Sequence, residues 1–220
     1  MHFPLFVTLG LLATVSFLKG NEAGAVNLLD DDLTQWESLG KARWRVAEGV
    51  LVGGQDGNSS RSGLLVSKMT YRDFDLRFDY LLDEHSKYNS GVYFRRAAKK
   101  ADRLGPSYQL NLGRGAAGEY VGLYLDDWLD KGDEKDEIRK PREWNAVRLL
   151  VAGTRIRAWL NDILIVDYLD SAPRADLQQA GTLAFQTYGA EGHAGWVKFR
   201  NVTLIELMLE TKLSSRKNAP

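Results

Sequence analysis

From Phe74 to Arg95 the chain spells out an alternation twice, and that constrains the fold more than any other feature. In the first run Phe74, Leu76, Phe78 and Tyr80 take one parity, and Asp75, Arg77 and Asp79 the other. Successive side chains of a strand point to opposite faces, so this pattern predicts a sheet with one buried and one decorated face. After a polar turn, Asn89-Ser90-Gly91-Val92-Tyr93-Phe94-Arg95 repeats it. Val92 and Phe94 go inward, and Tyr93 and Arg95 go outward. As neighbours, the two strands would line one surface with Arg77, Asp79, Tyr93 and Arg95. Those groups suit a polar, hydroxyl-rich ligand, whereas folding requires only the buried face.

Both ends of the chain are set aside. Phe3 to Leu18 is an apolar run, short for a membrane span and closed by Lys19, and Ala23-Gly24-Ala25 has the small-x-small pattern of a cleavage site. Residues 1–25 are therefore expected to be a signal peptide. The protein is expected to be exported, periplasmic or extracellular, with no stable membrane anchor once the signal is cleaved. Residues 208–220 read as a polar C-terminal tail. The chain has no cysteine, so disulfides, a lipidated cysteine and thiolate metal sites are excluded. Basic and acidic residues number 29 each. Nucleic acid and anionic membranes, which are bound through a positive excess, are not expected partners.

Between the ends lie about 180 residues of short apolar runs separated by glycine and polar turns, enough for one well-buried domain. Strands are expected at Trp44–Val46, Gly49–Val52, Leu64–Ser67, Phe74–Leu82, Gly91–Arg96 and Tyr108–Leu112. Later ones are expected at Gly122–Leu125, Trp144–Val151, Arg155–Leu160, Ile163–Tyr168, Thr182–Gln186 and Trp196–Glu206. Asn161-Asp162 suits a two-residue hairpin turn. Helical signal is confined to a short turn at Arg174–Gln179. Strands at this spacing predict an all-β, two-sheet antiparallel sandwich. The longest irregular segment, Asp126 to Glu143, mixes acids and bases and reads as a solvated surface loop. It fails as a calcium loop, because Lys131 and Leu129 fall where oxygen ligands are needed. No metal site or cofactor is expected.

Several phrases carry a resemblance. They are Leu28-Leu29-Asp30 with Leu33 and Trp36, Trp44 through Leu51, Tyr71 through Leu76, and Asn89 through Arg95. Glu143-Trp144-Asn145, Trp159-Leu160-Asn161 and Phe199-Arg200-Asn201-Val202 complete the set. In order and spacing the chain resembles the 3-keto-disaccharide hydrolase domain family, exported bacterial domains with a concanavalin A-like lectin/glucanase jelly roll. The resemblance spans about residues 26–207. Trp44, Trp144 and Trp159 are expected to anchor the core through their large apolar rings, and Trp128 in the polar loop to be an exposed platform for a sugar ring. Gly91 is expected to let backbone or ligand approach its strand closely, or to permit a bulge.

The resemblance implies glycosides oxidised at C3. A ketone there acidifies the neighbouring C–H, so removal of that proton can expel the glycosidic oxygen. The chemistry calls for a base, a group holding the enolate oxygen and an acid for the leaving group. The family pattern implies a Glu two residues before the Gln of the sixth strand and a His two residues after that of the penultimate one. Here those places read Ser107-Tyr108-Gln109 and Gln186-Thr187-Tyr188. Ser107 has no basic group, and Tyr188 would act as a base only with a strongly lowered pKa. Tyr188 and His193, the latter in the Gly189–Gly195 loop, are the catalytic candidates. Arg77, Asp79, Tyr93, Arg95, Ser107, Gln109, Trp128 and Gln186 are the expected sugar contacts. The alternate-position acids of a retaining glucanase are missing from every expected strand. Three functions stay open: cleavage of a C3-oxidised glycoside, glycan binding without catalysis, and a structural sandwich.

Overall fold

The computed structural model describes residues 24–56, 62–83, 88–97, 105–113, 119–189 and 194–207. Most of the expected signal peptide, the expected tail and His193 lie outside the described residues. The strands are β1 (Val26–Asn27), β2 (Trp36–Gly40), β3 (Arg43–Ala47), β4 (Val50–Asp56), β5 (Gly63–Tyr71), β6 (Phe74–Leu82), β7 (Tyr88–Asn89) and β8 (Gly91–Arg96). They continue with β9 (Tyr108–Asn111), β10 (Leu123–Tyr124), β11 (Trp128–Asp130), β12 (Asn145–Ala152), β13 (Arg155–Leu160), β14 (Ile163–Leu169), β15 (Gly181–Gly189) and β16 (Ala194–Glu206). A 3-10 turn, Ala175–Leu177, falls inside the stretch where the sequence shows helical signal.

Two antiparallel sheets result. One runs β14-β13-β12-β6-β16-β4-β3, with β1 on β16. The other runs β11-β10-β9-β8-β15-β5-β2, with β7 on β15. This is the expected jelly-roll sandwich. The alternation in β6 holds as read, with Phe74, Leu76, Phe78, Tyr80 and Leu82 all buried. Its rings meet the opposite sheet: Phe78 packs edge-on to Phe185 at 5.9 Å between centroids, and Phe74 edge-on to Phe94 at 6.1 Å. Phe185 also lies 4.4 Å from Phe199. Such offset and edge contacts add to the burial of large rings. Between β13 and β14, Asn161 and Asp162 both have positive φ, 49° and 66°. A two-residue hairpin turn that follows strand twist requires that backbone.

Four strands escape the alternation reading, namely β1, β2, β7 and β11. Three of them have only two or three residues, too few to show a period. In β2, Trp36 carries the signal, buried against Phe185 with its indole N–H donating to Leu28 O at 2.7 Å.

Of the three tryptophans expected in the core, only Trp44 packs against it, lying over Gly53 with its indole N–H buried and without a partner among the described residues. Trp144 and Trp159 are half-buried and carry cations. The Arg200 guanidinium sits 4.1 Å from the Trp144 ring centre, and that of Arg148 4.8 Å from Trp159. Trp159 has the outward parity of β13, where Ile156, Ala158 and Leu160 take the inward one. The core is filled mainly by Leu, Val, Phe and Tyr, with Trp36 among them.

The charged segment after β11 is also not a plain solvated loop. It is wound around the Asp133 carboxylate, which is buried and accepts from the backbone N–H groups of Glu137, Ile138 and Arg139 at 2.9–3.3 Å. Each hydrogen bond to a charged group contributes about 1.5–3 kcal/mol, and buried donors left unmade add a penalty. Asp133→Ala is therefore expected to destabilise the domain by about 2–4 kcal/mol. A urea midpoint within error of wild type would show the loop to be held by other contacts.

Candidate functional site

The strands named by the first alternation prove to lie on different sheets. β5 belongs to one sheet and β6 to the other, so the Arg72-Asp73 turn between them crosses the sandwich. β6 and β8 therefore face each other through the core, and their outward residues are on opposite sides of the molecule. Arg77 and Asp79 consequently do not join Tyr93.

On the outer face of the β6 sheet, Arg77 and Arg148 share the buried Asp75 carboxylate at 3.2 and 2.9 Å. Asp79 accepts from Arg200 at 3.0 Å and from Asn201 at 2.8 Å. A groove of about 490 Å³ lies there beside Trp159 and Thr203.

The outer face of the β8 sheet brings together the other residues. Tyr93 pairs with Gln109 across β8 and β9, and Gln109 with Tyr124 across β9 and β10. On the far side of β8, Ala184 pairs with Tyr93, and Gln186 follows two residues on with the same outward parity. Gln109 and Gln186 thus stand on strands that flank β8, yet their amides meet. Gln109 Nε2 donates to Gln186 Oε1 at 2.9 Å. Gly91 allows it, because a Cβ there would overlap Gln109 Nε2. What approaches Gly91 is neither backbone nor ligand but the Gln109 side chain, laid across the strand.

Beside this amide pair a depression of about 220 Å³ is lined by Leu64, Tyr93, Arg96, Gly105, Pro106, Ser107, Gln109, Tyr124, Leu125 and Asp126. Burial, with Tyr124 adjacent, pushes the Tyr93 phenol up to about 12, so it remains a protonated donor at neutral pH. Trp128 belongs to β11 at the sheet edge. It is half-buried, with Tyr120 at 5.0 Å and Tyr124 at 5.3 Å packed edge-on against it. It closes an aromatic cluster next to the depression and is not an isolated platform. Tyr188 is 41% exposed on the same face of β15, beyond Gln186.

Arg95 departs from the expectation. Between Tyr93↔Ala184 and Arg96↔Thr182, β8 spends three residue steps where β15 spends two. One residue is therefore extra, a bulge, and Arg95 is that residue, with a φ of 49°. Its side chain turns inward, 2% exposed, donating to Arg72 O at 2.9 Å and to Asp73 Oδ1 at 2.8 Å. Asp73, 4% exposed, also accepts from Gly153 N–H at 2.7 Å.

The bulge gives Arg96 the outward place that strict alternation assigns to Arg95, and Arg96 lines the depression. Sequence reasoning missed it; the Arg95-Arg96 doublet after the alternating run was the available hint. Among the described residues no group of His, Asp and Glu converges as a metal site.

Residues 24–205 match the sequence profile of the 3-keto-alpha-glucoside-1,2-lyase-like domain. The chain belongs to that family. No curated protein matches the chain in sequence. In structure, it is similar to a candidate glycosyl hydrolase from Parabacteroides distasonis, with a TM-score of 0.62, 20% identity, and coverage of 88% of this chain and 99% of the other. It is also similar to the carbohydrate-binding module CBM66 from Bacillus subtilis, with a TM-score of 0.58, 19% identity, and coverage of 79% and 96%. A Bacillus subtilis protein with a galectin-like fold has a TM-score of 0.65 at 12% identity, with coverage of 80% and 90%. At these identities the structural likenesses establish the fold alone. Family membership makes the chain a carbohydrate-active or carbohydrate-binding domain.

Proposed function

We propose that this lyase-like domain is exported and takes one ring of a C3-oxidised glycoside on the outer face of the β8 sheet, cleaving the bond beside it. The observation that carries this reading is the Gln109–Gln186 amide pair laid over Gly91 beside a depression of about 220 Å³. Paired amides offer donors and acceptors to vicinal hydroxyls, and the Tyr93 and Tyr124 rings supply apolar walls. Family membership supports the keto-sugar, and the apolar run Phe3–Leu18 supports export.

The carboxylate lining the depression is Asp126, to which we assign removal of the C2 proton. The electron pair of that C–H bond enters the C2–C3 bond and the C3 carbonyl pair moves onto its oxygen. Return of that pair restores the carbonyl and forms the C1–C2 double bond as the C1–O bond breaks, and the departing oxygen takes a proton. The Tyr93 phenol is suited to give one. Ser107 lines the same depression and is suited to hydrogen-bond the ring.

A second reading is glycan binding without cleavage. It is favoured by Ser107 and Tyr188 standing where the family resemblance implies Glu and His.

Incubation of the protein with a 3-keto-disaccharide separates the two readings. Cleavage is expected, lost in Asp126→Asn, with Gln109→Ala raising KM about tenfold, the scale of one hydrogen bond. A thermal shift by the same sugar without turnover would replace the lyase reading with the binding one. Neither shift nor turnover would remove sugar from this face.

A further inference from the structure

Arg96 is 6% exposed, close to Arg95 in burial, yet the two neighbours are treated oppositely. Arg95 is matched by Asp73 and a backbone carbonyl. Among the described residues Arg96 has one hydrogen bond, Nη1 to Thr182 Oγ1 at 3.4 Å, and its buried Nε has no partner. No carboxylate among the described residues forms an ion pair with it. Glu37 acts on it only through space, and burial lowers its pKa. A guanidinium nevertheless remains charged in proteins, and a buried charge with no counter-charge costs several kcal/mol. This cation lines the depression beside Tyr93 and Gln109, where a ligand could complete its shell.

We propose that Arg96 is the anion-holding group of this depression, and that the sugar placed there presents a negatively charged oxygen to it. This rests on the sugar reading of the same face and adds the charge of the ligand. A guanidinium edge gives two parallel N–H donors to an anionic oxygen pair, or a strong charge-assisted bond to one oxygen. That chemistry has two sources. One is the carboxylate of an acidic, uronate-type sugar. The other is the C3 oxygen of the keto-sugar: when the C2 proton leaves to Asp126, the C–H pair enters the C2–C3 bond and the carbonyl π pair moves onto oxygen. Expulsion of the C1 oxygen then returns the charge to the leaving group.

Arg96→Gln and Arg96→Met, compared with wild type, test this by titration calorimetry with methyl glucuronoside and methyl glucoside, and by turnover of a 3-keto-disaccharide. If the charge is a carboxylate, wild type binds the glucuronoside at least tenfold tighter than the glucoside, and both variants erase the preference. If the charge is the enolate, ground-state binding shows no preference, and Arg96→Gln lowers kcat at least a hundredfold with KM within threefold. In either case Arg96→Met raises Tm, because a buried charge with no counter-charge among the described residues is removed. A lowered Tm with ligand behaviour equal to wild type would mark Arg96 as structural and overturn the proposal. That result would leave the sugar reading intact. Failure of wild type itself to bind or turn over any of these sugars would overturn both.

Discussion

Arg95→Ala is expected to be a folding variant that still recognises its ligand. Breaking a buried ion pair by removing one partner costs about 3–5 kcal/mol, since the other charge stays behind in a dry site. At this size that is a fall in Tm on the order of 10 °C. Asp73 would keep the Gly153 N–H but lose the guanidinium that neutralises it. The Arg95 side chain lies within the protein and not in the depression, so affinity for a sugar, measured well below the variant's Tm, is expected within about threefold of wild type. Calorimetric melting and sugar titration on the same sample decide it. An unchanged Tm with abolished sugar binding would place Arg95 on the ligand after all.

Gly91→Ala is expected to do the reverse. The φ of Gly91 is not in the left-handed region, so alanine is allowed there, and in a strand it is favoured over glycine by about 0.5–1 kcal/mol. The added methyl overlaps Gln109 Nε2 and crowds its Cδ and Cγ, so the side chain must swing away. Swinging away breaks the bond to Gln186, and the surface next to the depression loses its shape. Sugar affinity is expected to fall at least tenfold, the weight of one hydrogen bond with its partner left unsatisfied, while Tm moves by only a few degrees. Retained affinity in Gly91→Ala would mean that the amide pair lies outside the ligand's footprint.

These two positions show how far the sequence could be read. The alternation in Phe74–Leu82 reported the inner face of β6 correctly, because burial against a facing sheet imposes a period of two on any strand long enough to display it. The Asn161-Asp162 hairpin was legible for a comparable reason: its chemistry is local. Which sheet a strand joins is not local. Nothing in Arg72-Asp73 says that the chain crosses the sandwich there, and so Arg77 and Asp79 were grouped with Tyr93 although they decorate the opposite surface.

The exchange of Arg95 for Arg96 has another cause. A bulge inserts one residue without interrupting the hydrophobic count before it, so parity stays right through Phe94 and is wrong by one from there on. Gln109, Gln186 and Ser107 come from the family resemblance, while Tyr93 is read from the alternation, which is undisturbed up to Phe94. Trp144 and Trp159 were misplaced by residue type. A tryptophan is large enough to belong in a core, yet it is equally served by a guanidinium stacked on its face.

The extra residue in β8 bears on protein engineering. Anyone grafting this binding face onto another sandwich would copy the residues that touch the ligand, and Arg95 would not be among them. If position 95 instead ran as an ordinary ladder residue, the strand would be straight and position 96 would turn to the opposite side. The portable unit is therefore the bulge together with its anchor in the Arg72-Asp73 turn and the Gly153 amide, and a transplant that keeps residue 95 without that anchor would carry the right side chains facing the wrong way.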